Sequence, residues 1–439
     1  MLILYLITIL LYYFRPSWIF LLWLITEPIL APVMTLYMGI TGYDDTASFI
    51  YPLIQGYSRV FLLICLFLIA VKRKIPQSSV KSFIFPWAIL LVYLILHSIF
   101  IHFDLLIIYG NAFPPLYSSV PLFLFLLDKR TRPSYKHLYW VIMFIYIVEL
   151  IWIPMNLNGI YAYVGRYEVF FNDPQESVLM PGTFLRSNNL ADFVAITFFF
   201  VMIHYFEKKC LPKWLFCLTT IIAVVLLFCA GSKTPILCVF LSFVLIIFEY
   251  RRIKAKHVLS LIAFVITVFF ISENVVLKKD LSNEGAKRVI GELSDLSKSK
   301  LGSKFDNTTF GLSFILIDKY FYDSPLIGCG DSYKGDKAYK LGSYVEGLEY
   351  AKADATFAFY LVEFGIIGLF LYLFYYFRLL KYAVAFHEGN SKKLIIPVYV
   401  FFLLFSFTEG GIFVVINFWF ILIYIFANNC PENVGKNTF

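Results

Sequence analysis

Charge is scarce in this chain. Of its 439 residues only 15% are Asp, Glu, Lys or Arg, against about 25% in ordinary soluble domains. That shortfall excludes a separate soluble domain, and a hydrophobic content of 60% takes its place. A cysteine framework is missing too. Cys65, Cys210, Cys217, Cys229, Cys238, Cys329 and Cys430 are odd in number, scattered and mostly inside apolar runs. Neither disulfide nor metal-ligand spacing is present, and no metal or cofactor is expected. The chain has no P-loop, dinucleotide fingerprint, zinc motif or nucleophile elbow. Gly328-Cys329-Gly330-Asp331 is glycine-rich but lacks the strand–helix setting of a nucleotide site. Met1–Phe14 has no basic leader and no small-residue cleavage site, so it is expected to be retained rather than cleaved as a signal peptide. The net charge of +8 does not indicate nucleic acid, because the basic residues collect in short loops between apolar runs.

What the chain has is apolar length. A helix crosses the hydrocarbon core in about 20 residues, with a range of roughly 17–25. Runs that meet this need include Ser17–Met38, Tyr51–Val71, Phe83–Phe103, His137–Met155, Asn189–Phe206, Trp214–Ala230 and Phe357–Phe377, with Pro235–Tyr250 just under it. Leu2–Phe14 is short, and spans with tilt or lies against its neighbour. The expectation is a single all-α polytopic membrane domain over residues 1–439, with ~12–13 spans. Aromatic residues make up 20% of the chain, which suits interfacial belts. Basic loops at Lys72, Lys129, Lys208, Arg251 and Arg378 alternate onto one side, which the positive-inside rule makes cytoplasmic. No inverted repeat of the kind that builds transporters is visible.

Two polar loops then fall on the opposite side, at residues 156–188 and 278–354. The larger belongs to the stretch Ser272–Phe377 and runs polar for roughly 75 residues, where ordinary connections take about 4–6. Within it Gly311–Tyr322 reads as a short helix, so the loop is partly helical. Functional residues concentrate on such loops, and ionisable groups at the membrane edge are costly and often functional. Lys233 stands in the external turn Gly231-Ser232-Lys233-Thr234, either snorkelling to the interface or holding an anion. Arg166 and Arg186 lie on the shorter loop, and Arg288 is the lone arginine of the larger one. Their guanidinium forks match phosphate oxygens, although loop arginines are more often solvated or paired. Asp354 immediately precedes the apolar helix Phe357–Phe377 and reads both as its N-terminal cap and as a general base. Glu363 falls inside that helix and must pair or protonate. Glu409 turns the chain between the last two spans. Glu27 and Arg59 read as a structural pair within the bundle.

Several of these residues carry a resemblance. Asp323-Ser324-Pro325-Leu326-Ile327-Gly328-Cys329-Gly330 resembles the Pro-Leu-(Leu/Ile)-Gly-x-Gly element in the large periplasmic loop of the O-antigen ligase and Wzy-type polysaccharide polymerase superfamily. Glu363-Phe364-Gly365-Ile366-Ile367-Gly368-Leu369 is similar to the glycine element of that family's following helix. Arg186-Ser187-Asn188-Asn189-Leu190-Ala191 is similar to its Asn-rich return after the shorter loop, and Ser232-Lys233-Thr234 to its Ser-Arg-Thr turn with Lys for Arg. Two departures stand out. The ligase histidine falls here on Asp354, and the usual loop arginine falls near Phe310. Loss of the histidine favours a polymerase over a ligase, as does the shorter loop with its two arginines, and Arg288 stands upstream as a replacement for the loop arginine.

The resemblance implies a GT-C-like membrane glycosyltransferase of the bacterial inner membrane, with its active site facing the periplasm. It would transfer a growing O-antigen or capsule glycan from undecaprenyl pyrophosphate to another lipid-linked repeat unit. Asp354 would take the acceptor proton. Lys233, Arg186, Arg288 and Arg166 would hold the pyrophosphate, with Glu363, Glu409 and Asn189 in support. Its partners would be the lipid-linked oligosaccharide, the bilayer, a chain-length regulator and a flippase. Two alternatives stay open: a ligase joining glycan to lipid A-core, and a flippase or transporter of lipid-linked sugars.

Overall fold

The computed structural model describes residues 2–22, 24–25, 81–102, 128–157, 182–184, 187–203, 205, 211–230, 235–236, 239, 317–318, 320–330, 355–385, 399–400, 402–403 and 406. Among them every regular element is helical. A helix satisfies its own backbone groups where lipid offers no partner. The principal helices are α1 (Leu2–Phe14), α2 (Lys81–His102), α3 (Tyr135–Leu157), α4 (Ser187–Ile203), α5 (Lys213–Ala230) and α6 (Thr356–Ala385). Among the described residues three stretches are long and apolar enough to cross a membrane: Tyr135–Met155, Lys213–Ala230 and Thr356–Lys381. Phe85–Ile101 and Asn189–Met202 are shorter apolar helices.

The helices follow the expected runs, with ends shifted for local reasons. α3 begins at Tyr135 rather than His137 because Ser134 caps it. The Ser134 hydroxyl accepts from the His137 N–H at 3.3 Å, and its carbonyl accepts from Leu138 at 3.0 Å. α6 runs on past Phe377 through Arg378 and Lys381. The Arg378 guanidinium lies 5.1 Å from the Phe374 ring centre, a cation–π contact.

The chain divides into two compact units. One comprises Met1–Leu68, Asp128–Lys298 and Leu422–Phe439; the other comprises Ile69–Leu127 and Ser299–Ile421. In the first unit, α3, α4 and α5 pack together. Tyr139 and Thr219 share a hydrogen bond of 2.9 Å between α3 and α5, and Tyr146 and Thr197 one of 2.7 Å between α3 and α4. In membrane proteins such contacts contribute about 0.6 kcal/mol on average. Close packing therefore carries most of the association, and the buried small residues Ala191, Ala195 and Ala223 favour it. The outer faces are equally apolar. Trp140, Phe144, Ile147 and Ile151 form an exposed stripe along α3, as do Trp214, Leu218, Ile221 and Val225 along α5. Residues at this spacing share one helix face, and a water-soluble helix would place charge there. These stripes face lipid.

This bundle has two distinct ends. At one, Asp128 accepts from the Tyr12 hydroxyl at 3.1 Å and from Arg130 Nη2 at 3.0 Å, which ties the end of α1 to the Lys129–Thr131 turn. The bond to Asp128 and its charge raise the Arg130 guanidinium above its ordinary pKa. Trp18 stacks near His137, with ring centres 5.6 Å apart. Tyr135 meets Phe200, and Tyr205 stacks on Phe216 at 4.0 Å to close the α4–α5 connection. Arg15, Arg130 and Lys213 thus belong to one end. The opposite end holds the last turns of α3 and α5, the first turn of α4, and a turn at residues 182–184.

In the second unit, α2 packs on α6. α6 also meets the segment around residues 399–406. The Phe357 N–H donates to the Ser406 carbonyl at 2.9 Å, filling a donor that every helix N-terminus leaves open. Further along, the Tyr376 hydroxyl donates to the Tyr399 carbonyl. One expectation needs correction here. Phe357–Phe377 is not an uninterrupted helix, because Gly365 has φ 66° and ψ −167° and breaks it. The rings of Tyr360 and Tyr372 stack with centres 4.7 Å apart. A straight helix would hold residues twelve apart at about 18 Å along its axis. The chain therefore folds back at Gly365. Residues 366–385 alone form a helix of about 30 Å, the thickness of the hydrocarbon core.

Candidate functional site

The break at Gly365 is matched by a second irregular piece, the turn at Pro325–Gly330. Gly328 and Gly330 have φ of 75° and 61°, conformations that a residue with a side chain rarely adopts. The two pieces cap each other. In a continuous helix the Val362 carbonyl would accept from Ile366. Here it accepts instead from the Cys329 N–H at 2.9 Å. The Ile366 and Ile367 N–H groups donate to the carbonyls of Pro325 (2.9 Å) and Leu326 (3.1 Å). The Gly328 N–H closes the turn on the Ser324 carbonyl at 2.7 Å. Three groups that the break releases, the Val362 carbonyl and the Ile366 and Ile367 N–H groups, find partners in the turn. At membrane depth an unpaired backbone group costs several kcal/mol, so irregular backbone survives there only when protein satisfies it.

The approach leaves no room for side chains. A Cβ on Gly365 would stand 2.3 Å from the Leu326 carbonyl oxygen, and one on Gly328 would stand 2.5 Å from the backbone carbonyl of Glu363. This is the physical reason for glycine at both positions. Two residues of α2 complete the lock. The Tyr93 hydroxyl donates to the Phe364 carbonyl at 2.8 Å, the acceptor that Gly368 would otherwise fill. His97 Nε2 lies 2.6 Å from the Ile327 carbonyl oxygen. A carbonyl only accepts, so Nε2 carries the proton. Tyr93 and His97 are one helical turn apart on the same face of α2, and His97 also packs on the Phe364 ring at 4.8 Å. Behind the lock Ile317, Tyr320, Cys329 and Phe359 pack around buried Ala355, Ala358 and Val362. Residues 317, 318 and 320 are helical and residues 321–327 are turns, which is the described part of the expected helix Gly311–Tyr322. Leu326, Ile327, Ile366 and Ile367 are exposed and apolar.

Neither a protein-family model nor a curated protein sequence matches this chain.

Of the residues singled out from sequence, Glu363 lies in the lock. It is fully buried, and its backbone faces Gly328. Asn189 is half-buried in the first turn of α4. Asp354, Lys233, Arg186, Arg288, Arg166, Glu409, Glu27 and Arg59 lie outside the described residues, but several of their chain neighbours are informative. α6 begins at Thr356, and the Ala355 carbonyl accepts the first intrahelical bond, from Phe359 at 2.9 Å. Ala355 thus stands at the cap position of the described helix. The Phe357–Ser406 bond joins the chain just after Asp354 to the chain just before Glu409. In the first unit, Phe184 and Ser187, which flank Arg186, and Ala230, three residues before Lys233, belong to one end of the α3–α5 bundle.

Sequence reasoning missed Glu149, Tyr93 and His97. Glu149 is fully buried in α3, at the end of the bundle that Ala230 and Ser187 share. Its Oε2 accepts from the Thr183 N–H at 2.9 Å, and its Oε1 accepts from the Thr183 hydroxyl. A lone acid within an apolar run is a signal that sequence does carry. Among the described residues no cluster of His, Cys, Asp and Glu has the arrangement to hold a metal ion.

Proposed function

We propose that this chain is a membrane glycosyltransferase that elongates a lipid-linked polysaccharide, of the kind its motifs resemble in Wzy-type polymerases. The observation that carries the reading is the glycine lock. Pro325–Gly330 and Glu363–Gly368, the two stretches that bear the resemblance, form one interlocked backbone piece. That piece holds the residues on which the large polar loop returns to the membrane at Ala355, next to Asp354.

The chemistry follows from the charges available. A hydroxyl of the acceptor repeat unit attacks the anomeric carbon of the donor sugar. The bond from that carbon to the pyrophosphate oxygen breaks, and the lipid pyrophosphate leaves with the electron pair. The acceptor proton passes to the Asp354 carboxylate. Lys233 and Arg186 hold the departing pyrophosphate, joined by Arg288 and Arg166, so the negative charge develops against preorganised cations. Glu363, Glu409 and Asn189 support the site. The polyprenyl tail lies along apolar surface such as that formed by Leu326, Ile327, Ile366 and Ile367. The enzyme sits in the bacterial inner membrane with this site toward the periplasm, and works beside a flippase and a chain-length regulator.

The test is elongation by purified protein in lipid nanodiscs, supplied with a purified undecaprenyl-pyrophosphate-linked repeat unit. A ladder of lipid-linked products supports the polymerase. Transfer only to added lipid A-core would replace it with a ligase. Movement of substrate between leaflets without a new glycosidic bond would replace it with a transporter.

A further inference from the structure

Glu149 does not belong to any motif that carries the resemblance, yet its surroundings are built around it. One residue, Thr183, offers it two donors, and the two carboxylate oxygens accept one each. Gly182 has φ 60°, and a Cβ there would stand 1.8 Å from Glu149 Oε2. Glycine at that position is therefore required by the approach of the carboxylate as well as by the turn. The turn is also held without it, since Phe184 packs on Phe193 with ring centres 5.2 Å apart. Placing a carboxylate in the interior of a membrane helix is costly. A glutamine can keep both contacts only as neutral bonds, its oxygen accepting from the Thr183 N–H and its amide donating to the Thr183 hydroxyl oxygen, so the acid alone makes them charge-assisted.

We infer that Glu149 is a positioning residue for the pyrophosphate subsite: by clamping Thr183 it fixes the direction in which the chain leaves the turn toward Arg186, three residues on. This inference rests on the reading that Arg186 binds the substrate's pyrophosphate. The clamp sets affinity for the phosphoanion and leaves the chemical step alone.

The experiment uses the full-length protein in nanodiscs, with inorganic pyrophosphate as the probe and amide hydrogen exchange across residues 182–190 as the readout. In the wild type, pyrophosphate slows exchange there. In Glu149→Gln the basal exchange rises and the pyrophosphate concentration needed for protection increases about tenfold, the size expected for losing a charged hydrogen bond. Thr183→Ser keeps both donors and behaves as wild type; Thr183→Val keeps only the N–H and falls between. In the elongation assay Glu149→Gln raises KM for the lipid-linked donor with kcat changed less than about threefold, since uniform binding is what is lost. Undiminished protection in Glu149→Gln overturns the inference and leaves the pyrophosphate reading intact. No protection in the wild type overturns the pyrophosphate reading at Arg186, and the inference with it. A loss confined to kcat assigns Glu149 to the chemistry and rejects a positioning role.

Discussion

The turn at Gly182–Thr183 and the turn at Pro325–Gly330 solve one problem in two ways. Each brings a polar loop back to a membrane helix through glycine at positive φ. The first is held by a single buried side chain, with both bonds to Glu149 ending on one residue. The second is held by backbone, through three bonds between the turn and the broken helix, with Tyr93 and His97 added from α2. A backbone lock is indifferent to most side chains and intolerant of any Cβ at its glycines. A side-chain clamp concentrates its specificity in one residue. Among the described residues the lock thus depends on backbone and the clamp on a side chain.

This comparison fails if the wrong substitutions prove severe. The largest effect is expected from Gly365→Ala. A Cβ meets the Leu326 carbonyl, and the left-handed conformation adds roughly 1–2 kcal/mol per residue. The expected loss is about 3–5 kcal/mol, the range of severe core defects, read as a fall in thermal stability of the purified protein in detergent. A neutral Gly365→Ala would mean that the lock is not tight. Glu149→Gln comes next, at about 1–2 kcal/mol for exchanging two charged hydrogen bonds for neutral ones. The same thermal melt measures it. A loss as large as that of Gly365→Ala would erase the distinction between clamp and lock. The smallest effect is expected from Tyr93→Phe and His97→Ala, at about 1 kcal/mol each, because interhelical hydrogen bonds in membranes are weak singly. The pair share one face and one lock, so the double variant should lose more than the sum. Simple additivity would show that the two side chains act separately.

Much of the scaffold is legible in the sequence, because spanning lipid imposes length and apolarity on a helix. The ends of α3 and α5 fall within two residues of the apolar runs that announce them. What is not legible is the break in α6. Glu363–Gly368 has helical composition throughout, and nothing local separates a tolerated glycine from one that reverses the chain. The partners that make the break possible come from the Pro325–Gly330 turn and from Tyr93, which lies 271 residues from Phe364 in sequence. The site was legible in part. The motifs at Pro325 and Glu363 were noticed as two separate stretches, and only the fold shows that they are one. Asp354 lies outside the described residues; the first bond described in α6 ends on the carbonyl of its neighbour Ala355.

The central claim is that glycan transfer occurs where the large loop returns to the membrane, with Asp354 as the base. The most direct measurement is elongation of a purified undecaprenyl-pyrophosphate-linked repeat unit by Asp354→Asn beside the wild type, both in nanodiscs and matched for thermal stability. The account predicts a ladder of products from the wild type and a loss of at least about 100-fold in Asp354→Asn, the lower range of general-base catalysis. Equal ladders from the two proteins would contradict it.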